Sequence, residues 1–182
     1  MSIEVISKRV CALKQRYNED DVERLCQSMG IRILNIPMGR NEKACKGFFI
    51  IKSRIPIIVV NNDISPQIRR IVLAHELGHA VLHAKFTEIR AFHDFELFDQ
   101  TSIYEYEANI FAAEFLMEDV DVLELLNEDL SFFSAAKILH VPPELLDFKF
   151  RVLKRKGYAL NPPLYATGDF LKNSTFSNDT EP

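Results

Sequence analysis

Hydrophobic and polar positions recur with a helical period from Ile3 to about Met29. A polar break at 17–20 divides this stretch into two predicted helices, and we expect Asn18 or Asp20 to cap the second helix and Gly30 to end it. The positions predicted to face inward follow spacings of three and four residues; they are Val10, Leu13, Val22, Leu25 and Cys26. A helical pair is therefore expected before the first strand.

Three short runs of β-branched and aromatic residues follow the helical pair. The first covers 31–36 and stops at Pro37-Met38-Gly39. The other two, 47–51 and 56–60, are separated by the polar residues 52–54, which is the pattern of a hairpin. The sequence therefore predicts a small β-sheet between the N-terminal helices and the next helix.

Two strong helices are predicted after the sheet. Ser65 followed by Pro66 is a favourable start for the first, because the hydroxyl can accept from a free N–H and proline at the first position loses no hydrogen bond. That helix is expected to end near Ala84, and the second spans about 102–117. The connection 85–101 is long for a compact domain, so we predict a loop with short ordered pieces that forms a rim or lid over the functional site.

The remaining chain predicts further helices that end near Tyr158. Two of them, 131–139 and 143–156, resemble a helix-turn-helix in outline, and the second has a basic end. Packing of this pair onto the rest of the domain is the favoured interpretation, and DNA binding is the alternative. The predicted domain organisation is a single domain over 1–171 and a disordered tail over 172–182. Within the domain we expect N-terminal helices at 1–30, a catalytic core at 31–117 and C-terminal helices at 118–158.

Composition narrows the class of protein. The chain has 182 residues, of which 47% are hydrophobic and 26% charged, enough for one core. A net charge of −4 gives no general attraction to nucleic acid or to acidic membranes. No segment has the pattern of a signal peptide or a membrane span, so a cytoplasmic protein is expected. Cys11, Cys26 and Cys45 are odd in number and widely spaced, which predicts reduced core cysteines.

The segment His75-Glu76-Leu77-Gly78-His79 carries the chemistry. Two histidines four residues apart lie one helical turn apart on the inward face, where both can bind one zinc ion. Glu76 points about 100° around the helix, toward a metal-activated water whose proton it can accept. Gly78 leaves room for a neighbouring backbone or the substrate. The alternative is a pair of core histidines held by local hydrogen bonds.

A third metal ligand is expected from another helix. The extended pattern with a third histidine fails, because Leu82 and Lys85 occupy its later positions. Glu105 and Glu107 are the two candidates. We favour Glu105 because it precedes Ala108 on the predicted buried stripe, whereas Glu107 is predicted on the opposite flank. For either residue, the alternative is a solvated surface acid.

Three further residues are candidates for supporting roles. Asn109, four residues after Glu105, can orient a metal-bound imidazole through its second nitrogen. His83 and Tyr104 can hydrogen-bond a substrate carbonyl or the oxyanion of a tetrahedral intermediate. Packing roles for His83 and Tyr104 remain open alternatives.

These motifs together resemble the ImmA/IrrE family of metallopeptidases. The resemblance rests on His75-Glu-Leu-Gly-His79, the following Leu82-His83 and the segment 105–117, and it extends over roughly 17–158. It implies one zinc per chain bound by His75, His79 and Glu105, with Glu76 as general base. Glu118 stands where family members often have proline, so the resemblance does not imply the chain path at this position.

The resemblance also implies a biological role, namely cleavage of a helix-turn-helix transcriptional repressor, commonly one encoded beside the protease on a prophage or mobile element. The expected fold is α+β and zincin-like, with a small sheet, a metal-binding helix, a glutamate-bearing helix and a C-terminal helical pair. We therefore expect a zinc endopeptidase with a protein substrate and no direct contact with nucleic acid or membrane. The alternative is a protein-binding or DNA-binding regulator whose zinc is only structural. The oligomeric state stays open.

Overall fold

The computed structural model describes residues 1–41, 44–84, 102–127 and 130–160, together with the backbone of 92–94. The helices in this part of the chain are α1 (Ile3–Tyr17), α2 (Val22–Ser28), α3 (Pro66–Leu82), α4 (Ile103–Leu116), α5 (Asp119–Asn127), α6 (Phe132–Ile138) and α7 (Pro143–Arg155). The strands are β1 (Arg32–Ile36), β2 (Gly47–Lys52), β3 (Ile55–Asn61) and β4 (Phe92–Asp94). The predicted tail 172–182 and most of the predicted loop 85–101 lie outside the described residues. The fold is α+β, as expected.

The helical pair at the N-terminal end is confirmed, but the predicted cap of its second helix is wrong. Asp21 is the N-cap of α2, and its carboxylate accepts from the backbone N–H of Arg24 at 2.9 Å. Asn18 instead ends α1 in a left-handed conformation with φ 48°, which asparagine adopts more readily than most residues. Gly30, at φ +74°, follows α2 and turns the chain toward β1.

The four strands form one mixed sheet in the order β1-β3-β2-β4. β2 and β3 form the predicted hairpin, and its two turn residues, Ser53 and Arg54, both have positive φ, as a tight hairpin turn requires. β1 lies parallel to β3 on the other side. The buried Asn61 ties down the connection between β1 and β2, because its side chain accepts from the N–H of Met38 and donates to the carbonyl of Gly39.

Helix α3 lies between the sheet and α4, and two glycines allow the close packing. A Cβ at Gly47 on β2 would lie 2.5 Å from Val72 Cγ1 of α3. A Cβ at Gly78 would lie 3.2 Å from the Cα of Ala108 on α4. Gly78 therefore accommodates a neighbouring backbone, one of its two predicted roles, and α3 is held from both sides.

The C-terminal helix pair packs onto the core. Phe148, Val152 and Leu153 of α7 are buried, and α7 contacts α4 and α1. The cations of its basic end, other than Lys154, contact carboxylates within the described part of the chain; they are Lys149, Arg151, Arg155 and Lys156. These contacts agree with the packing interpretation of the pair.

The three cysteines differ in burial. Cys26 is buried, Cys45 is half-buried and Cys11 is exposed, so the predicted core role holds for Cys26 and is wrong for Cys11. Cys11 lies on the outer face of α1, whose buried positions are Ile6 and Val10. Within the described ranges, no helix combines the length and apolar character that a membrane span requires.

Candidate metal centre

The two histidines of the motif occupy consecutive turns of α3. The helix begins as the sequence predicts, with Ser65 accepting from the N–H of Ile68 at 3.3 Å and Pro66 in the first turn. His75 and His79 are 1% and 0% exposed, and their Nε2 atoms lie 3.0 Å apart. Both imidazoles therefore aim one nitrogen at the same point inside the protein.

Glu105, in the first turn of α4, brings a carboxylate to that point. Its Oε2 lies 3.1 Å from Nε2 of His75 and 3.4 Å from Nε2 of His79. Burial would raise the pKa of Glu105, but its contacts with the imidazoles of His75 and His79 outweigh burial and hold the pKa well below its usual range. The carboxylate is therefore anionic, as a metal ligand must be.

The three donor atoms fit a zinc ion. Tetrahedral zinc with bonds of about 2.0–2.1 Å to nitrogen and oxygen holds its ligands about 3.3 Å apart. The three separations here range from 3.0 to 3.4 Å. Three protein ligands also leave one coordination position open, which is the arrangement of catalytic rather than structural zinc sites.

Glu76 directly follows His75 on α3, at the side of the helix that meets strand β2 of the sheet. The residue is fully buried. A Cβ at Gly47 would come within 3.6 Å of Glu76 Oε1, so strand β2 runs directly past the carboxylate. The side chain that the sequence predicts as general base is therefore enclosed by α3 and the sheet.

The amide of Asn109 supports His75. Its Oδ1 lies 2.9 Å from Nδ1 of His75, the ring nitrogen that faces away from the cluster. An amide oxygen accepts only, so Nδ1 of His75 carries the proton and Nε2 keeps its lone pair for a metal. The structure thus places Asn109 where a supporting residue of His75 was expected.

His83 occupies the corresponding position behind His79. Its Nδ1 lies 3.1 Å from Nδ1 of His79, and its Nε2 lies 2.9 Å from Oε2 of Glu107. The ring is 1% exposed, and the ring of Tyr104 packs edge-on against it at 5.1 Å between centroids. Of the two roles open for His83, the structure favours internal packing over contact with substrate.

Glu107 is the site residue that the sequence placed wrongly. It is 4% exposed, rather than on a solvent-facing flank, because α1, α3 and α7 all pack against α4 and bury most of its circumference. Among the described residues, its carboxylate contacts the imidazole of His83 and the N-terminal ammonium group of Met1. No local pattern could have revealed the contact with His83, which joins residues from two helices.

Comparisons with known proteins identify the family of the chain. Residues 26–151 match the family described as the IrrE N-terminal-like domain. The chain is 30% identical over 145 residues to "Uncharacterized immunity region protein 2" of Bacillus phage phi105, covering 80% of this chain and 89% of that protein. It is 25% identical over 156 residues to "Metallopeptidase ImmA" of Bacillus subtilis (strain 168), covering 79% and 83%. The chain therefore belongs to the ImmA/IrrE family of metallopeptidases.

Proposed function

We propose that the protein is a zinc-dependent endopeptidase. The observation that carries the proposal is the convergence of His75 Nε2, His79 Nε2 and Glu105 Oε2 within 3.4 Å of one another, with the buried Glu76 on the same helix as the two histidines. Imidazole and carboxylate are donors that zinc prefers, and the separations suit its tetrahedral geometry. One zinc per chain follows from one such cluster in the described residues.

In peptide hydrolysis, the metal and the residues around the cluster would have different roles. Zinc at this point would act as a Lewis acid and lower the pKa of water toward neutrality. Glu76, one residue after His75, accepts the proton of the attacking water and returns it to the departing amine. Enclosure by α3 and β2 excludes bulk water from this carboxylate, which strengthens its interactions with charge that develops during the reaction.

We further propose that the substrate is a helix-turn-helix transcriptional repressor in the cytoplasm, cleaved to relieve repression. Two relatives support this assignment, one named for a phage immunity region and the other a metallopeptidase. The pairing of the basic side chains of α7 with carboxylates favours a protein substrate over direct DNA binding. Neither a membrane nor a nucleic acid is required by this function.

One substitution tests the proposal. Glu76→Gln keeps the size of the side chain and removes the base, so zinc content stays at one per chain while cleavage of a purified helix-turn-helix repressor that the wild type cleaves falls by about 10²–10⁴-fold. Metal analysis and gel-based cleavage measure the two effects. Glu124→Gln, an exposed change on α5, is the matched control and retains both.

The same variant separates the enzyme from a regulator with structural zinc. In a derepression reporter, the Glu76→Gln variant loses its output if proteolysis is the function. Full output from this variant, or wild-type turnover in the cleavage assay, contradicts the proposed mechanism.

A further inference from the structure

Three polar side chains, those of His79, His83 and Glu107, form a line of contacts that leads away from the candidate metal cluster. His79 contacts His83 through their Nδ1 atoms at 3.1 Å, and His83 contacts Oε2 of Glu107 through Nε2 at 2.9 Å. The three side chains are at most 5% exposed. The line therefore runs from the candidate metal cluster to a carboxylate on α4 without passing through solvent.

The chemistry of the three groups fixes where the protons lie. A carboxylate accepts only, so Nε2 of His83 carries the proton that is donated to Glu107. A neutral imidazole has one proton, which leaves Nδ1 of His83 as an acceptor for Nδ1–H of His79. His79 is then left with a lone pair on Nε2, the atom that faces His75 and Glu105.

The environment keeps this arrangement in place. The ring of His83 is 1% exposed, and its two nitrogens face Nδ1 of His79 and Oε2 of Glu107. The ring of Tyr104 packs against His83 and limits its rotation. The competing tautomers would leave a buried donor or acceptor without its partner and are therefore disfavoured.

The two candidate histidine ligands are supported differently. His75 donates to a neutral amide, whereas the line behind His79 ends in a carboxylate. Hydrogen bonds that terminate in a carboxylate orient a metal-bound imidazole and raise its basicity, and their loss typically weakens metal binding by about 10–100-fold.

We propose that His83 and Glu107 are positioning residues that select the tautomer and ring orientation of His79 for metal binding. The inference rests on the proposed metal site and extends it to residues that contact neither metal nor substrate. It assigns Glu107 a role distinct from that of Glu105, although both belong to the same turn of α4.

Zinc affinity of the purified full chain is the primary test, measured by competition with a chromophoric chelator. His83→Phe and Glu107→Leu are expected to weaken zinc binding by about 10–100-fold. Glu107→Gln keeps an accepting oxygen for His83 and is expected to recover part of the loss. Glu144→Leu, which removes a buried carboxylate of α7, is the matched control and leaves zinc affinity unchanged.

A second readout separates positioning from general destabilisation. In the zinc-loaded wild type, the Nδ1–H of His79 and the Nε2–H of His83 should appear as low-field proton resonances in NMR spectra. His83→Phe removes both resonances, while Glu144→Leu retains them even if it lowers the melting temperature. The cobalt-loaded His83→Phe variant should also show a shifted visible absorption spectrum.

The outcomes distinguish this inference from the proposed function. Unchanged zinc affinity and an unchanged cobalt spectrum in both His83→Phe and Glu107→Leu overturn the positioning role, even if the wild type cleaves its substrate. A wild type that binds zinc and shows the predicted losses, yet cleaves no repressor, supports the positioning role and contradicts the proposed substrate. A wild type that binds no zinc overturns both.

Discussion

The two ends of α4 each carry a carboxylate turned into the protein, and they meet different partners. Glu105, near the N-terminal end, contacts the imidazoles of His75 and His79. Glu114, near the C-terminal end, contacts the ammonium groups of Lys149 and Lys156 at 2.7 and 2.6 Å. One helix therefore supports both a cluster of metal-ligand type and a cluster of ion pairs.

The difference lies in how charge is balanced. Asp119 also bridges the two lysines, so two ammonium groups and two carboxylates form a neutral ring that holds α4, the start of α5 and α7 together. At the other end, the partners of Glu105 among the described residues are imidazoles, which bring no obligatory positive charge. A buried carboxylate needs a cation, and at that end the donor geometry points to one from outside the chain.

The largest expected effect is that substitution of Glu105 lowers zinc affinity, whereas substitution of Glu114 lowers stability. Glu105→Gln replaces an anionic ligand by a neutral one and should weaken zinc binding more than the roughly 10–100-fold typical of a supporting residue. Glu114→Gln should leave zinc affinity unchanged but lower the free energy of unfolding by about 2 kcal/mol, because a buried lysine loses an anionic partner. Chelator competition and urea unfolding of the metal-free protein measure the two effects. Equal losses of zinc affinity in Glu105→Gln and Glu114→Gln would contradict the distinction between the two ends of α4.

A second prediction concerns the buried lysine. Lys149 is 1% exposed, and Lys149→Ala should lower the free energy of unfolding by about 3 kcal/mol, because Glu114 and Asp119 lose a buried cation. Chemical unfolding followed by circular dichroism measures the change. Lys154→Ala, an exposed lysine of the same helix, should change stability by less than about 0.5 kcal/mol. Equal effects of the two substitutions would refute a structural role for the ring.

The smallest expected effect is a pH dependence from Asp119. Burial would raise its pKa, but hydrogen bonds from Lys149 and Lys156 lower it below its ordinary 3.8. A lowered folded-state pKa contributes stability above the unfolded value and loses it as pH falls through the folded value. Because the side chain is partly exposed, this contribution is at most about 1 kcal/mol.

Asp119→Asn tests that pH dependence. The difference in unfolding free energy between the wild type and Asp119→Asn should be constant above about pH 5 and shrink as pH falls below the unfolded value. Asp121→Asn, an exposed change on the same helix, provides the control. A difference that grows as pH falls would show that the sign of the shift is wrong.

Features set by neighbouring residues were predictable. The helix start at Ser65-Pro66, the hairpin across residues 52–54 and the common face of His75 and His79 all follow from local backbone preferences and the helical period. The N-cap of α2 was harder to predict from the sequence, because the neighbouring polar residues Asn18, Asp20 and Asp21 compete for one position. The outcome depended on where α1 ended.

What the sequence determined by itself is the donor set on α3 and the type of the elements that carry it. What only the tertiary structure decided is which side chains of α4 face that set. Glu105 and Glu107 are two residues apart, yet one approaches both motif histidines and the other approaches His83. That assignment depends on the rotation and separation of two packed helices, which are set by the contact of Gly78 with Ala108 and by burial of α4 on several sides. A periodic pattern defines the faces of a helix but not the neighbour that each face meets.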